Sequence, residues 1–426
     1  MNSTRNSTGT DVSVKQNRFF YGWIIVASCT LIMAVQWGIQ YSFSIFFKPL
    51  ATDFGWTRAA TAGVYSAYMI SAGVSSIPLG WLADRFGPVK IASASGLMMG
   101  LGLILASRIT DLWHLYLTFG ILTGIGAGGT FAIGMGVVTR WFVKRRGFAL
   151  GIVTAGIGLG TFLMSPLVER LITAYGWSQA YFIIGVGSLI ILGGSSLLLR
   201  RDPESVGLLP YGVEKVTDNK QNNNVAVVDV QDVGTSISNA LRSSPLWMMM
   251  FLVFAFNCAL QMVMVHLANY TTDQGFSPLS AAIIISVIGA GSSLGRIGMG
   301  TVSDRIGSGN SLIICCLGVT SGLVWLMFSK ELWMLYVFAI FFSFAYGGEV
   351  PQIPLTVARF FGLKSVTALV GITSATARLG GALGSWIGGE VFDIRHSYIL
   401  AFIIAAVCGF LALLTALMLK RIKTLV

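Results

Sequence analysis

The chain has 426 residues, of which 54% are hydrophobic and only 11% are charged. Soluble proteins carry about a quarter charged residues, so this composition excludes a molecule whose surface faces water on all sides. The net charge of +11 does not indicate nucleic-acid binding, because the basic residues form no patch or stripe on one segment.

Twelve apolar segments follow one another along the chain. Each has about 19–28 residues, which is enough for a helix to cross a hydrocarbon core about 30 Å thick. In chain order they lie near 21–47, 57–82, 89–107, 112–139, 147–168, 178–199, 245–272, 278–302, 309–328, 332–358, 365–390 and 397–419. The sequence therefore predicts an all-α membrane protein with twelve transmembrane helices.

The basic residues sort by side of the membrane. With the N-terminus taken as cytoplasmic, the tails and even-numbered connections hold 20 Lys and Arg residues, the opposite face holds 6, and 2 lie within predicted spans. Positive charge accumulates on the cytoplasmic side of membrane proteins, so both termini are predicted to be cytoplasmic.

The predicted spans divide six and six around one long polar connection. We expect a disordered cytoplasmic tail at 1–18, a six-helix bundle at 19–199, a cytoplasmic linker at 200–244 and a second bundle at 245–426. Each half carries a related segment after its second helix, GWLADRFGPVK in the first and GTVSDRIGSGN in the second. Their recurrence indicates an internal duplication.

This repeated segment resembles the loop motif of the major facilitator superfamily. Its charged pairs are Asp84 with Arg85 and Asp304 with Arg305, and such pairs can hold neighbouring helix ends together on the cytoplasmic side. These four residues are therefore candidates for a cytoplasmic gate. The resemblance implies the major facilitator fold, in which two six-helix halves are related by pseudo-two-fold symmetry, and it says nothing about the substrate.

A narrower resemblance extends over most of the chain. The segments FYGWIIV, GIQYSF, RWFVKRRGFALGIVTAGIGLG, PESVGLLPYG and LGRIGMGTVSDRIG look like the monocarboxylate porter family, and most like its bacterial members, including oxalate:formate antiporters. The resemblance implies a monomeric transporter in the cell inner membrane, with a small organic anion as substrate and protons as partners. Membrane lipid surrounds such a protein, and neither a cofactor nor a metal is expected.

Arg296 is the only charged residue between Asp273 and Asp304. It precedes Asp304 by eight residues, or about 12 Å of helix, so its head group is expected to stay within the membrane. Charges at that depth are costly and usually mark a path for an ion or substrate. The alternative is a structural pair with an internal carboxylate, for which Glu349 is the main candidate.

The resemblance implies that Arg296 binds the carboxylate of the substrate. A guanidinium suits this role because it stays charged and can hold a carboxylate through two parallel hydrogen bonds. Arg378, the second intramembrane charge, occupies the place of a lysine in oxalate:formate antiporters. It is either a direct substrate contact, or it belongs only to a gate or to a pair with Glu349. The GIQYSF segment resembles an antiporter motif in which Gln40 and Tyr41 border the cavity.

Further candidates lie on the seventh and tenth predicted helices. Phe342 and Tyr346 have i, i+4 spacing and could form an aromatic wall of the site, although such a pair is more often simple packing. His266 could titrate and Glu349 could act in coupling or gating. A histidine near a helix end is, however, more often only hydrogen-bonded.

The sequence departs from its relatives at several places. Animal monocarboxylate transporters have a Pro-Lys pair in the first helix and an aspartate before the eighth-helix arginine, where this chain has Gln40-Tyr41 and Ser292. Proton symport therefore does not carry over directly. Positions of the aromatic oxalate cage hold Phe131, Ile157 and Ala375. Phe131 remains a candidate substrate contact, and the loss of the other aromatics weakens an oxalate interpretation.

We expect a secondary active transporter of small monocarboxylates such as lactate or pyruvate, proton-coupled and working by alternating access. The alternative is an antiporter of the oxalate:formate type for small dicarboxylates. A membrane-embedded enzyme would need clustered catalytic groups within the membrane, and only Glu349 and His266 are available there. A sensor on a transporter scaffold would bind its ligand without uptake.

Overall fold

The computed structural model describes residues 20–142, 145–212, 235–362 and 366–422. Over these ranges the long elements are all helices. The prediction of an all-α membrane protein is therefore confirmed. The predicted tail at 1–18 and residues 213–234, about half of the predicted linker, lie outside the described residues.

Six long helices make up the first half. They are α1 (Gly22–Phe54), α2 (Arg58–Phe86), α3 (Pro88–Ala106), α4 (Leu112–Trp141) and a pair, α5 and α6, within Arg146–Leu197. Gly176 divides that pair, because its φ of 78° and ψ of 165° are not helical. We therefore number its two parts α5 (146–175) and α6 (177–197).

The second half repeats this arrangement. Its helices are α7 (Ser244–Asp273), α8 (Pro278–Ile306), α9 (Ser308–Phe328), α10 (Leu332–Phe361), α11 (Val366–Arg395) and α12 (Ile399–Arg421). Within the described residues, nine stretches are long and apolar enough to cross a membrane. One of them contains both α5 and α6, and α2 and α11 have 29 and 30 residues, which is consistent with the twelve predicted spans.

The repeated loop motif has the same backbone conformation in both halves. Gly87 separates α2 from α3 with φ 95° and ψ 147°, and Gly307 separates α8 from α9 with φ 84° and ψ 152°. A side chain at either position would be strained at such a positive φ. Arg85 and Arg305 lie exposed beside these turns, whereas the side chains of Asp84 and Asp304 lie outside the described residues.

Two apolar cores follow the two halves of the chain. One is built almost entirely from residues before 200 and the other almost entirely from residues after 239. Between the halves, α2 packs on α11 and α5 packs on α8. Gly158 permits the second contact, because a Cβ there would collide with the backbone of Gly289. The exact domain boundaries remain predictions.

Polar contacts between the halves concentrate at one end, where α1 finishes at Phe54 and α7 at Asp273. We call this the Asp273 end. The Asp273 carboxylate pairs with Lys48 Nζ at 2.9 Å and with Arg58 Nη1 at 2.6 Å. The Asp393 carboxylate of α11 accepts hydrogen bonds from the backbone N–H groups of Arg58 and Ala59 at 2.9 and 2.6 Å. The described structure is therefore closed by charged groups at the Asp273 end.

Hydrogen bonds between α5 and α8 reach only part of the way along the bundle. Ser286 and Ser293 of α8 donate hydrogen bonds to the carbonyl oxygens of Phe162 and Ala155 in α5, at 2.6 and 3.0 Å. Among the described residues, no hydrogen bond joins α5 to α8 beyond Ser293, over the last three turns before Ile306. The interface thus extends from the Asp273 end to the middle of the bundle.

Candidate functional site

Arg296 lies in the middle of the bundle and is only 6% exposed. One turn earlier on α8, the Ser292 hydroxyl accepts a hydrogen bond from Arg296 Nη1 at 2.9 Å. Nη2 donates to the Tyr346 hydroxyl of α10 at 3.4 Å. Nε is buried and has no hydrogen-bond partner in the described structure. The protein therefore orients the guanidinium but leaves part of its donor set free.

Tyr346 connects Arg296 to the other half of the molecule. Its hydroxyl lies 2.8 Å from the hydroxyl of Tyr41 on α1, and its ring centroid is 5.5 Å from Arg296 Cζ. Arg296, Tyr346 and Tyr41 thus form a continuous polar chain from α8 through α10 to α1. The structure brings these three sequence candidates together where the two halves meet.

A second polar chain crosses between the halves beside the first. Gln40 Nε2 donates to the Tyr65 hydroxyl at 3.1 Å, and that hydroxyl donates to Gln261 Oε1 on α7 at 3.0 Å. The Tyr68 hydroxyl donates to Gln40 Oε1 at 3.4 Å. Sequence reasoning identified Gln40. It missed Tyr65 and Tyr68, which lie on α2 at a helical spacing that is equally typical of packing.

Arg378 enters the same region from α11. Its aliphatic stem lies against Gly73 of α2, and Tyr41, Tyr65 and Tyr68 lie in its neighbourhood. Its Nη1 is buried and has no hydrogen-bond partner among the described residues. Tyr41 also lies within the field of Arg296, so the two guanidinium groups act on a common polar centre.

Glu349 is buried in α10, with 5% of its surface exposed. Among the described residues, no Lys or Arg nitrogen lies within 4.0 Å of its carboxylate. The structural pair that the sequence suggested between Glu349 and an intramembrane arginine is therefore not formed in this structure. Both arginines are left without a carboxylate at contact distance in the described part of the chain.

The remaining candidates have different surroundings, although the ring centroid of Phe342 lies 6.4 Å from that of Tyr346. Phe342 is fully buried in the core of the second half, with its ring 4.8 Å from that of Phe338. Phe131 packs against the core of the first half. His266 lies toward the Asp273 end, where Nε2 is 2.8 Å from the Ser385 carbonyl oxygen and Nδ1 is 3.3 Å from the Tyr398 hydroxyl.

The fold and this centre define a helical membrane protein with a polar, cationic site between two bundles, which is the arrangement of a solute transporter. A family model for the Major Facilitator Superfamily matches residues 26–329 and 299–424. The chain belongs to this superfamily, and the prediction of its fold is confirmed. Because the family consists of transporters, the protein is not an enzyme.

Curated relatives support the narrower resemblance. The chain is 28% identical over 427 residues to monocarboxylate transporter 12 of Rattus norvegicus, with 95% of this chain and 85% of the relative covered. It is 25% identical over 387 residues to monocarboxylate transporter 13 of Bos taurus, with 90% and 86% covered. The predicted relationship to the monocarboxylate porters is confirmed.

Solved structures share the fold. One is a bacterial homolog of the human lysosomal transporter Spinster, in an inward-facing and unoccupied conformation. It has a TM-score of 0.69 and 14% identity, with 94% of this chain and 98% of that chain covered. The nucleoside transporter NupG has a TM-score of 0.73 and 12% identity, with 93% and 100% covered. At these identities the likeness concerns the fold alone.

Proposed function

We propose that this protein transports small organic monocarboxylates, such as lactate and pyruvate, by alternating access and together with a proton. The observation that carries the proposal is the state of Arg296. It is buried between the halves, held by Ser292 and Tyr346, and has an unpartnered Nε and no carboxylate at contact distance among the described residues. The names of the relatives point to the same substrate class.

The chemistry of the centre suits a small carboxylate. Arg296 Nε and its neighbouring terminal nitrogen present the parallel N–H groups that a carboxylate accepts in bidentate fashion. The hydroxyls of Tyr41 and Tyr346 lie next to them and can hydrogen-bond a hydroxyl or keto oxygen on the adjacent carbon. Since burying an unpaired charge is costly, an anion that neutralises Arg296 gains strongly from this site.

Alternating access requires the Asp273 end to open. There Asp273 holds Lys48 and Arg58 through ion pairs, and these contacts would have to break as one half rocks against the other. In the proposed topology the Asp273 end faces the outside of the cell and both termini lie in the cytoplasm. The transporter is a monomer in the cell inner membrane. The conformation described here is then open toward the cytoplasm.

One observation favours a second function, the exchange of small dicarboxylates. Arg296 and Arg378 both approach Tyr41, and neither has a carboxylate within 4.0 Å among the described residues. Two uncompensated cations would suit a dianion such as oxalate. We rank this function second because, within the described residues, hydrogen bonds from Ser292 and Tyr346 orient Arg296, whereas none orients Arg378.

Equilibrium binding to the purified protein distinguishes the two functions. Titration with lactate, pyruvate, oxalate and malonate, followed by calorimetry, should give the tightest binding for a monocarboxylate. Leu294→Ala is the matched control for substitutions of Arg296, because Leu294 lies on the same helix as Arg296 with 66% of its surface exposed. Tighter binding of oxalate than of both monocarboxylates would replace the first function by the second.

A further inference from the structure

Glu349 is a buried carboxyl group to which the binding site described above assigns no role. No hydrogen bond from a described residue reaches its carboxylate, and no Lys or Arg nitrogen of the described chain lies within 4.0 Å. An ionised carboxylate without partners in a membrane interior is very unfavourable. In this conformation the side chain is therefore expected to be neutral and to carry its proton.

Among the described residues, Arg296 is the one cation that acts on Glu349. Helix α10 packs on α8 and α9. From α8 the charged group that acts on Glu349 is Arg296, and from α9 the titratable groups that face it are the thiols of Cys315 and Cys316. On α10 itself, Tyr346 precedes Glu349 by three residues and so lies on the same face of the helix. Arg296 alone could stabilise the ionised form of Glu349.

Arg296 is thus shared between two acceptors. Its Nη2 already reaches α10 through the Tyr346 hydroxyl, one turn before Glu349, and its Nε has no partner. A guanidinium paired with an ionised Glu349 would lose much of its attraction for a substrate anion. Conversely, an anion bound to Arg296 would remove the charge that allows Glu349 to ionise.

We propose that Glu349 carries the transported proton, and that its carboxylate and the substrate carboxylate compete for Arg296. This inference rests on the proposed function and names the group that couples the proton to the substrate. The ion pair between Arg296 and Glu349 is not a permanent structural pair, because it forms only when no substrate anion is bound. The coupling needs neither the lysine nor the aspartate that this chain lacks.

One transport cycle conserves both protons and charge. On the side of high proton activity, an ionised Glu349 takes one proton from water and releases Arg296, which binds one substrate anion. The loaded site has the same net charge as the empty site with its ion pair, so both can reorient across the membrane. On the other side the anion leaves, Glu349 gives its proton to water, and the pair with Arg296 forms again.

The test combines Glu349→Gln with the matched control Glu169→Gln. Glu169 is also a buried membrane carboxyl group, but it accepts a hydrogen bond from Thr173 at 2.8 Å and lies in α5. Lactate binding should weaken by about tenfold per pH unit on the alkaline side in the wild type and in Glu169→Gln, because one proton is taken up with each anion. In Glu349→Gln the affinity should not depend on pH.

Transport separates the outcomes further. Proteoliposomes that contain Glu349→Gln should exchange internal for external lactate, but they should not accumulate lactate under an inward proton gradient. Accumulation by this variant, or the wild-type pH slope in its binding, would overturn the proposal. If the variant does not fold, proton uptake by the wild type is measured with a pH dye in weak buffer at alkaline pH. About one proton should be taken up for each lactate bound. Lactate binding without proton uptake overturns the proposal. Wild-type protein that binds no lactate would instead overturn the proposed function.

Discussion

Replacement of Arg296 by alanine has two consequences that can be measured separately. The first is the loss of substrate binding. Removal of one partner from a buried, hydrogen-bonded charge pair costs about 2–5 kcal/mol, which corresponds to about a 30-fold to several-thousand-fold loss of affinity. Arg296→Lys keeps the charge but not the planar fork, so we expect its affinity to lie between those of the wild type and the alanine variant.

The second consequence concerns stability. Arg296 has only two hydrogen bonds to side chains of the described structure, to Ser292 and Tyr346, each worth about 0.5–1.5 kcal/mol or somewhat more for a charged donor. Removing a buried charge without a counter-ion offsets that loss. The alanine variant should therefore stay folded, with a Tm within a few degrees of the wild type.

Calorimetric titration with lactate and a thermal melt of the same detergent-purified sample check both consequences, with Leu294→Ala as the control. A folded Arg296→Ala protein that binds lactate with wild-type affinity would refute the assignment of Arg296 as the carboxylate anchor. Unfolding of Arg296→Ala together with normal melting of Leu294→Ala would refute the argument that this charge serves binding rather than stability.

Three further outcomes are expected from single substitutions. Tyr346→Phe, which removes the hydroxyl between Arg296 and Tyr41, should weaken lactate binding by about fivefold, since one hydrogen bond is worth about 1 kcal/mol; wild-type affinity would contradict a role for this hydroxyl. Arg378→Gln should weaken oxalate binding at least about tenfold more than lactate binding in competition assays, and equal losses would contradict a second cationic contact. Asp273→Asn removes two partly exposed ion pairs worth about 0.2–1 kcal/mol each. In a protein that also carries Ala51→Cys at the Asp273 end, it should therefore raise the rate of thiol labelling by about two- to thirtyfold. Unchanged labelling would contradict a gate there.

Most helices could be predicted from the sequence because their length and apolar composition are local properties. The segment 245–272 corresponds to Ser244–Asp273, and 278–302 lies within Pro278–Ile306. The segments 147–168 and 178–199 correspond to α5 and α6, which the non-helical backbone of Gly176 separates. The stretch of lower hydropathy between the two segments predicts this break. Gly176 is the one residue in that stretch that is typical of a turn.

The binding centre could be predicted only in part. Arg296 and Arg378 stand out because a charge within an apolar segment is rare. The contact between Tyr41 and Tyr346 joins residues 305 positions apart and depends on how the two halves meet, which no local pattern encodes. Phe342 is fully buried and its ring centroid lies 6.4 Å from that of Tyr346; that the pair forms an aromatic wall of the site stays a prediction, because helical spacing specifies a shared face and not what covers it.

The carboxyl groups illustrate the same limit. Glu349 was the candidate partner in the alternative interpretation of Arg296 as a structural pair, but its carboxylate lies beyond 4.0 Å from every described Lys and Arg nitrogen. Asp393 could not be recognised as the residue that binds the backbone N–H groups at the start of α2. Both facts depend on distances between helices that are far apart in the sequence.

Uptake of labelled lactate into empty proteoliposomes under an inward proton gradient tests the central claim most directly. The account predicts accumulation above the external concentration, its collapse on addition of an uncoupler, and its absence in Arg296→Ala with retention in Leu294→Ala. Equal accumulation by wild type and Arg296→Ala would contradict it. So would a wild-type protein that takes up lactate only when a second anion is loaded inside.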